Sequence, residues 1–175
     1  LAAVLASAAL SACAPGGASE GSAEETINIV GFAVPEAANK NLAAEFVETE
    51  AGTDVKFETS YGASGDQSRA VEAGLKADYV HFSVPTDVTR LVEADLVAPE
   101  WDQGENKGVV STSVVVFGVR DGNPKNIKTW EDLIKPGVEI VTPNPASSGA
   151  ARWNALAAYG QVISSGGTEQ EAEQY

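Results

Sequence analysis

The sequence predicts an α/β protein organised around a mainly parallel sheet. Runs rich in β-branched and aromatic residues alternate with segments whose apolar residues recur at helical spacing, and this alternation is typical of parallel strands connected by helices. Hydrophobic residues make up 43% of the 175 residues. The chain can therefore bury a sizeable core, and general disorder is not expected.

The sequence up to residue 94 predicts three strands, each followed by a helix. In the first helix, Leu42, Phe46 and Val47 recur at helical spacing, and Gly52 marks its end. The predicted strands cover residues 26–32 (TINIVGF), 54–59 (DVKFET) and 77–84 (ADYVHFSV), and the predicted helices cover residues 36–51, 68–75 and 87–94.

The sequence beyond residue 111 continues the same alternation. It predicts strands at 112–120 (TSVVVFGVR) and 138–142, a turn at 121–124, and helices at 129–134 and 150–164. Thr129 is the expected N-cap of the first of these helices, and Pro136-Gly137 stops it. The last residues start another helix after Thr168 and end inside it, so we expect the chain to be a fragment of a longer protein.

The N-terminal segment LAAVLASAALSACAPGGASEGSAEE is interpreted as processing sequence. Residues 1–12 are uncharged and mostly apolar, which fits the apolar region of a signal peptide that is incomplete at its start. LSAC at residues 10–13 matches a bacterial lipobox, which predicts lipidation of Cys13. Residues 13–25 are then a flexible tether. The alternative is a frayed helix with an incidental cysteine.

The charge of the chain excludes some classes of partner. The net charge is −14, which argues against nucleic acid or an anionic membrane surface as a partner. A small anion is not excluded, because a buried site responds to local dipoles more than to the global charge. Cys13 is the only cysteine, so no internal disulfide is expected.

Residues 142–154 (TPNPASSGAARWN) predict a helix start suited to an oxyanion. Two prolines keep the chain extended before the serines, whose hydroxyls are good helix caps. The first N–H groups of a helix lack carbonyl partners and carry the positive end of its dipole. Gly149 and Ala150 leave these N–H groups approachable. The alternative is an ordinary capped helix start.

Residues 60–74 (SYGASGDQSRAVEAG) contain a second loop of small residues after a predicted strand. Glycines flank Ser64, so its N–H and hydroxyl can face a ligand. In parallel sheets, ligands lie beyond the carboxyl ends of the strands, and both loops are predicted to lie there. Asp66 either supplies an acceptor for a protonated anion or caps the helix that it begins.

Arg69 and Arg152 follow the two loops by a few positions. Each is interpreted either as a direct partner of an anion or as the partner of a carboxylate that stiffens the first helical turn. The second role is favoured, because a residue one turn into a helix points away from its N-terminal end. Trp153 is expected to be a packing residue.

Neither loop matches a known nucleotide-binding motif in full. The patterns G-x-x-x-x-G-K-[ST] and G-x-G-x-x-G are absent. Residues 62–66 approach the G-x-S-x-G motif of serine hydrolases but end in Asp66. A hydrolase also needs a base, and His81 is the only histidine. A secreted serine hydrolase using Ser64 is therefore the alternative outside the binding proteins.

The chain resembles the periplasmic sulfate-binding proteins of ABC importers and the related thiosulfate binders. The resemblance is carried by residues 60–80 and 115–160, which contain the motifs GNPK, WEDLIKPGV and TPNPxSSGxARWN. The resemblance covers roughly residues 26–165. It implies a periplasmic-binding-protein-like (type II) α/β fold with two hinged domains, here truncated at the C-terminus. We expect residues 26–112 to form most of the first lobe and residues 113–175 part of the second.

The resemblance also implies a ligand set of uncharged donors: the Ser64 amide, the Ser148 hydroxyl, and the amides of Gly149 and Ala150. Phe32, Gly65 and Asp66 are further candidate contacts, and Arg69 and Arg152 are expected to support the site from behind. Family members commonly carry a second glycine where this chain has Ala150. Remaining ligands, including an indole N–H, are expected in a missing C-terminal part.

The expected function is capture of sulfate or thiosulfate outside the cytoplasmic membrane and delivery to an ABC permease, with phosphate or molybdate as alternative oxyanions. Sulfate carries no proton at neutral pH and needs donors only, whereas phosphate keeps a proton and is better matched by a site with an acceptor. We expect a monomer held at the membrane by its lipid, with no cofactor and no metal.

Overall fold

A computed structural model describes residues 25–175; the proposed signal peptide, Cys13 and nearly all of the tether lie outside these residues. The elements are β1 (Glu25–Phe32), α1 (Glu36–Phe46), β2 (Val55–Gly62), α2 (Ser64–Glu72), β3 (Tyr79–His81), α3 (Pro85–Glu93), α4 (Trp130–Leu133), α5 (Gly149–Ser164) and α6 (Glu169–Gln174), with a short 3₁₀ helix at Glu50–Gly52. The predicted α/β class and parallel pairing are confirmed.

The sheet has three strands in the order β2-β1-β3, and both pairings are parallel. Phe32 at the end of β1 pairs with Gly62 at the end of β2, and Gly31 pairs with His81 at the end of β3. The carboxyl ends of all three strands therefore lie at one edge. The helices α2 and α3 begin at that same edge.

The hydrophobic core lies between this sheet and the two helices that follow β2 and β3. Val30, Val71 and Leu91 are buried at its centre. Partly buried apolar residues pack around them: Ala77, Val80, Phe82 and Val97. The helix α1 contributes no fully buried residue to this core. The two packed helices thus give their N-terminal ends a fixed position against the sheet.

Two predicted strands are wrong for the part of the chain that the structure describes. Residues 112–120 and 138–142 form no ladder, and their apolar side chains lie open, with Val114 80% and Val141 98% exposed. A strand requires a hydrogen-bonding neighbour, and no segment within residues 25–175 pairs with either run. Instead, both runs line an open groove of about 810 Å³ together with α4, α5 and α6.

Two smaller differences concern α2 and β3. The helix α2 begins at Ser64, four positions before its predicted start, so most of the predicted loop is its first turn. The strand β3 spans only Tyr79–His81, because the chain leaves the sheet to reach α3 at Pro85. The predicted cap Thr129 is confirmed: it forms a capping box with Asp132 at the start of α4.

No helix within residues 25–175 combines the length and the apolar character that crossing a membrane requires. Among the same residues, no group of three or more His, Cys, Asp or Glu side chains lies close enough together to hold a metal ion.

The stability of this fold should fall on mild acidification because of His81. This side chain is buried, and burial lowers the pKa of His81 below its usual value of 6.5. Just below that pH the unfolded chain binds a proton that the folded chain does not, so the free energy of unfolding decreases as the pH falls.

Urea unfolding at about pH 7.5 and about pH 5.5 measures this effect, since most carboxylates stay ionised over the interval. His81→Gln should show a smaller difference between the two pH values than the unmodified chain. Equal differences in both proteins would contradict the assignment to His81.

Candidate functional site: three helix starts at one edge of the sheet

The N-terminal ends of α2, α3 and α5 meet at the carboxyl edge of the sheet. The Gly65 N–H donates to the Ser147 carbonyl at 2.9 Å, and this bond joins the first turn of α2 to the loop before α5. Between them lies Ser83, whose N–H donates to the Ser64 hydroxyl oxygen at 3.0 Å. We call this arrangement the helix-start junction; it comprises residues 64–65, 83–84 and 147–150.

Four backbone N–H groups at the junction have no acceptor among residues 25–175: those of Ser64, Gly149, Ala150 and Val84. The first three are first-turn amides, which carry the positive ends of the α2 and α5 dipoles. Ser64 is only 2% exposed, and Gly149 is also buried. The junction therefore presents uncharged donors in a largely desolvated place, the arrangement expected of a small-anion site.

Ser148 is the N-cap of α5, as its sequence position predicted. Its hydroxyl oxygen accepts from the Ala151 N–H at 3.4 Å, which is a long contact. That interaction uses an acceptor position of the oxygen and leaves the hydroxyl hydrogen available. Ser148 can therefore cap its helix and donate to a ligand at the same time.

Gly65 links the starts of α2 and α5. Its N–H donates to the Ser147 carbonyl, so in this structure that N–H is not free for an anion. A Cβ at this position would lie 3.0 Å from the same carbonyl oxygen. The absence of a side chain thus lets the two segments approach, and the ligand contact expected of Gly65 stays a prediction.

Asp66 and Arg69 form an exposed ion pair on the first turn of α2. Their side chains are 58% and 43% exposed and approach to 2.5 Å. Asp66 does not cap the helix through its side chain, because Ala63 is the N-cap residue and no side chain caps this end. The carboxylate therefore faces Arg69 and solvent, and Arg69 has the carboxylate-pairing role that was favoured for it.

Arg152 connects α5 to α3 through a carboxylate that the sequence analysis missed. Its guanidinium donates to Asp87 Oδ1 at 3.2 Å, to Thr86 Oγ1 at 3.2 Å and to the Pro145 carbonyl at 2.9 Å. Asp87 is 0% exposed. The predicted pairing of Arg152 with a carboxylate is confirmed, although that partner belongs to another helix.

Asp87 is further tied into the core by its backbone. The buried Ser68 hydroxyl donates to the Asp87 carbonyl at 2.6 Å, which links α2 to α3. In the sequence, Asp87 stands two positions after Pro85 in the first turn of a predicted helix. Acidic residues are common at this position in helices, so nothing about it singles out Asp87. Its burial depends on packing and has no local signal.

Phe32 and His81 contact each other at the carboxyl ends of β1 and β3. Their rings meet edge to face at 5.5 Å, and His81 Nδ1 lies 3.3 Å from Asn39 Nδ2. The Ser64 hydroxyl is hydrogen-bonded by Ser83, and within the described residues it makes no hydrogen bond with His81. The pair required by the serine-hydrolase alternative is therefore not assembled.

Gly149 should tolerate no side chain. A Cβ there would lie 2.0 Å from Ser83 Oγ and 3.1 Å from Val84 Cγ1, so Gly149→Ala should lower the free energy of unfolding by about 1–3 kcal/mol through overpacking. The matched control is Gly160→Ala in the same helix, where nothing lies within 4 Å. That change should stabilise by up to about 1 kcal/mol. Chemical denaturation measures both, and shifts of the same sign would contradict this reading of the junction.

The Arg152–Asp87 pair should contribute far more to the free energy of unfolding than the Arg69–Asp66 pair. Arg152→Met leaves the Asp87 carboxylate buried without its partner and should cost about 3 kcal/mol of unfolding free energy. The matched change Arg69→Met removes an exposed pair and should cost less than about 1 kcal/mol. Adding Asp87→Asn to Arg152→Met should restore part of the loss, because it removes the buried charge. Equal costs for the two arginine variants would show that burial of Asp87 is energetically unimportant.

Comparisons with known proteins place the chain in a family. Residues 27–173 match the family model described as bacterial extracellular solute-binding protein. The chain is 44% identical to a sulfate-binding protein of Synechococcus elongatus over 85% of its own length, and 41% identical to one of Escherichia coli over 78%. It is 38% identical to a thiosulfate-binding protein of Pseudomonas aeruginosa over 75%.

A solved structure is also similar, that of the sulfate-binding protein SubI from Mycobacterium tuberculosis H37Rv. It matches with a TM-score of 0.82 and 47% identity, and the match covers 86% of this chain and 52% of that one. The chain spans about half the length of the relatives it matches, since the three curated proteins are covered over 44%, 41% and 40% of their lengths. The match over residues 27–173 shows that the chain belongs to the bacterial extracellular solute-binding proteins.

Proposed function

We propose that this protein captures sulfate or thiosulfate outside the cytoplasmic membrane and delivers it to an ABC permease, without making or breaking a bond. The similar proteins carry the names sulfate-binding and thiosulfate-binding. The observation that carries the proposal is the helix-start junction, where the free N–H groups of Ser64, Gly149 and Ala150 and the Ser148 hydroxyl belong to two helix starts that are hydrogen-bonded to each other.

The charges around the junction favour a fully deprotonated anion. Asp66 pairs with Arg69 in solvent, and Asp87 is buried against Arg152. The Asp66 carboxylate is therefore not a free acceptor for a proton on the ligand, and the Asp87 oxygen that lacks a partner among the described residues, Oδ2, is fully buried. The uncharged donors of the junction suit sulfate or thiosulfate better than phosphate, which keeps a proton at neutral pH.

The donors described so far leave part of an anion unsatisfied, and the remaining ligands are proposed to come from a further C-terminal part. The relatives are about twice as long as this chain. The indole of Trp153 is not the missing donor, because its N–H donates to the Ser83 carbonyl at 2.8 Å. Closure of two lobes around the anion would then replace its hydration shell with fixed dipoles and present the loaded state to the permease.

The proposal also includes the location and the assembly state. Lipidation of Cys13 would hold the protein on the outer face of the cytoplasmic membrane through the tether at residues 13–25. Its partners would be the permease subunits of the transporter, and the protein itself would act as a monomer. Globomycin sensitivity of precursor processing, lost in Cys13→Ala, tests the anchor independently of ligand binding.

Calorimetric titration tests the anion specificity. The protein expressed from the complete reading frame that contains these residues should bind sulfate or thiosulfate, and an excess of phosphate should not compete. Absence of heat with both sulfur oxyanions, or binding of phosphate or molybdate in their place, would refute the proposed ligand class.

Ser148→Ala tests the site itself. Loss of a hydrogen bond to a charged ligand costs about 1.5–3 kcal/mol, which corresponds to an affinity about 10-fold to 150-fold weaker. Ser165→Ala, at the other end of α5, is the control and should bind normally. Asp66→Asn should also keep the sulfate affinity, because its carboxylate faces Arg69. An unchanged dissociation constant in Ser148→Ala would remove this hydroxyl from the site.

A further inference from the structure

Ser83 lies at the centre of the helix-start junction, between β3 and α3. Both of its backbone groups are occupied by the neighbouring loops: its N–H donates to Ser64 Oγ at 3.0 Å, and its carbonyl accepts from Trp153 Nε1 at 2.8 Å. One contact comes from α2 and the other from α5. The backbone of Ser83 is thus held from both sides, and this holds its Cβ in place.

The Ser83 hydroxyl is buried and has no hydrogen-bond partner among the described residues. Buried polar atoms without partners are uncommon, because they lose their hydration and gain nothing in exchange. The nearby buried serines behave differently, since Ser64 Oγ accepts from Ser83 and Ser68 Oγ donates to Asp87. The unsatisfied state of the Ser83 hydroxyl therefore requires an explanation.

The position of this hydroxyl supplies one. Ser83 Oγ lies 2.0 Å from the point that a Cβ on Gly149 would occupy, so it fills the space left by the missing side chain. Cβ and the amide nitrogen are bonded to the same Cα, and the hydroxyl consequently lies beside the Gly149 peptide. The Gly149 N–H is one of the free amides at the junction.

We propose that the Ser83 hydroxyl is a further ligand-binding donor, which completes its hydrogen bonding only when an oxyanion occupies the helix-start junction. The inference rests on the function proposed above and adds a contact from the start of α3 to those from α2 and α5. The hydroxyl has no partner among the described residues, and an anion oxygen beside Gly149 would give it an acceptor. The group would therefore contribute to affinity and nothing to the stability of the free fold.

This role differs measurably from a structural one. A serine that holds the fold together loses stability when its hydroxyl is removed, whereas removal of an unsatisfied buried hydroxyl is neutral or stabilising. Ser83→Ala should therefore leave the midpoint temperature of thermal unfolding of the free protein unchanged or slightly higher. The same variant should bind sulfate or thiosulfate about 10-fold more weakly, as expected for a lost hydrogen bond to a charged group.

Ser68→Ala is the matched control, because it removes another buried serine hydroxyl near the same helices. Its hydroxyl has a partner in the free protein, so the variant should unfold more easily while its sulfate affinity stays within about twofold. Both variants are measured by calorimetric titration with sulfate and thiosulfate and by thermal unfolding with and without the anion, in the protein expressed from its complete reading frame.

Two results would overturn the inference. The first is that the unmodified protein binds sulfate or thiosulfate and that Ser83→Ala binds the same anion with equal affinity. The other is a Ser83→Ala variant that destabilises the free protein as Ser68→Ala does, since this would reveal a structural partner. Failure of the unmodified protein to bind either anion would instead refute the proposed function, so the two failures are distinguishable.

Discussion

The site depends on the hydrogen bond from the Gly65 N–H to the Ser147 carbonyl, which joins two loops that are distant in the sequence. The parallel sheet places the starts of α2 and α3 at one edge, but nothing in the sheet fixes α5 there. This bond, the Trp153 indole on the Ser83 carbonyl, and Arg152 on Asp87 hold the start of α5 against the other two helices. Close approach is possible because residues 65 and 149 carry no side chain, so the two glycines determine where the free amides can converge.

Local electrostatics would allow a chain with a net charge of −14 to bind a dianion. The carboxylates nearest the junction are each matched by an arginine, Asp66 by Arg69 and Asp87 by Arg152. What remains at the junction is the set of unpaired first-turn amides, whose partial positive charges act over short distances in a poorly solvated place. More distant surface carboxylates are screened by solvent and salt. The local dipoles can therefore outweigh the global charge without a counter-cation.

The sequence predicted the fold class, the approximate helices and the two loops, because these depend on local periodicity, capping and turn chemistry. It was wrong about strands at 112–120 and 138–142, since β-propensity describes a segment and not its partner. It missed Asp87 and Ser83 for a related reason: the burial of the first and the unsatisfied hydroxyl of the second arise from contacts between separate helices. It also did not indicate that the Gly65 N–H donates to the Ser147 carbonyl. The sequence could place small residues at a helix start but could not say which amide each one leaves free.

The burial pattern of α5 relates ligand binding to the attachment of this helix. Among its residues only Gly149 and Ala151 are buried, and both lie in its first turn, while Trp153, Leu156 and Ile163 remain exposed. Within residues 25–175, α5 is thus held to the sheet mainly through the helix-start junction. An anion that accepts from Ser64 on one side and from Gly149 and Ala150 on the other adds bonds across this same contact. By linkage, it must favour the arrangement in which α5 is docked, in proportion to its affinity for that arrangement. The docking of α5 and the capture of the anion would then be one equilibrium, controlled by residues that meet at a single edge of the sheet.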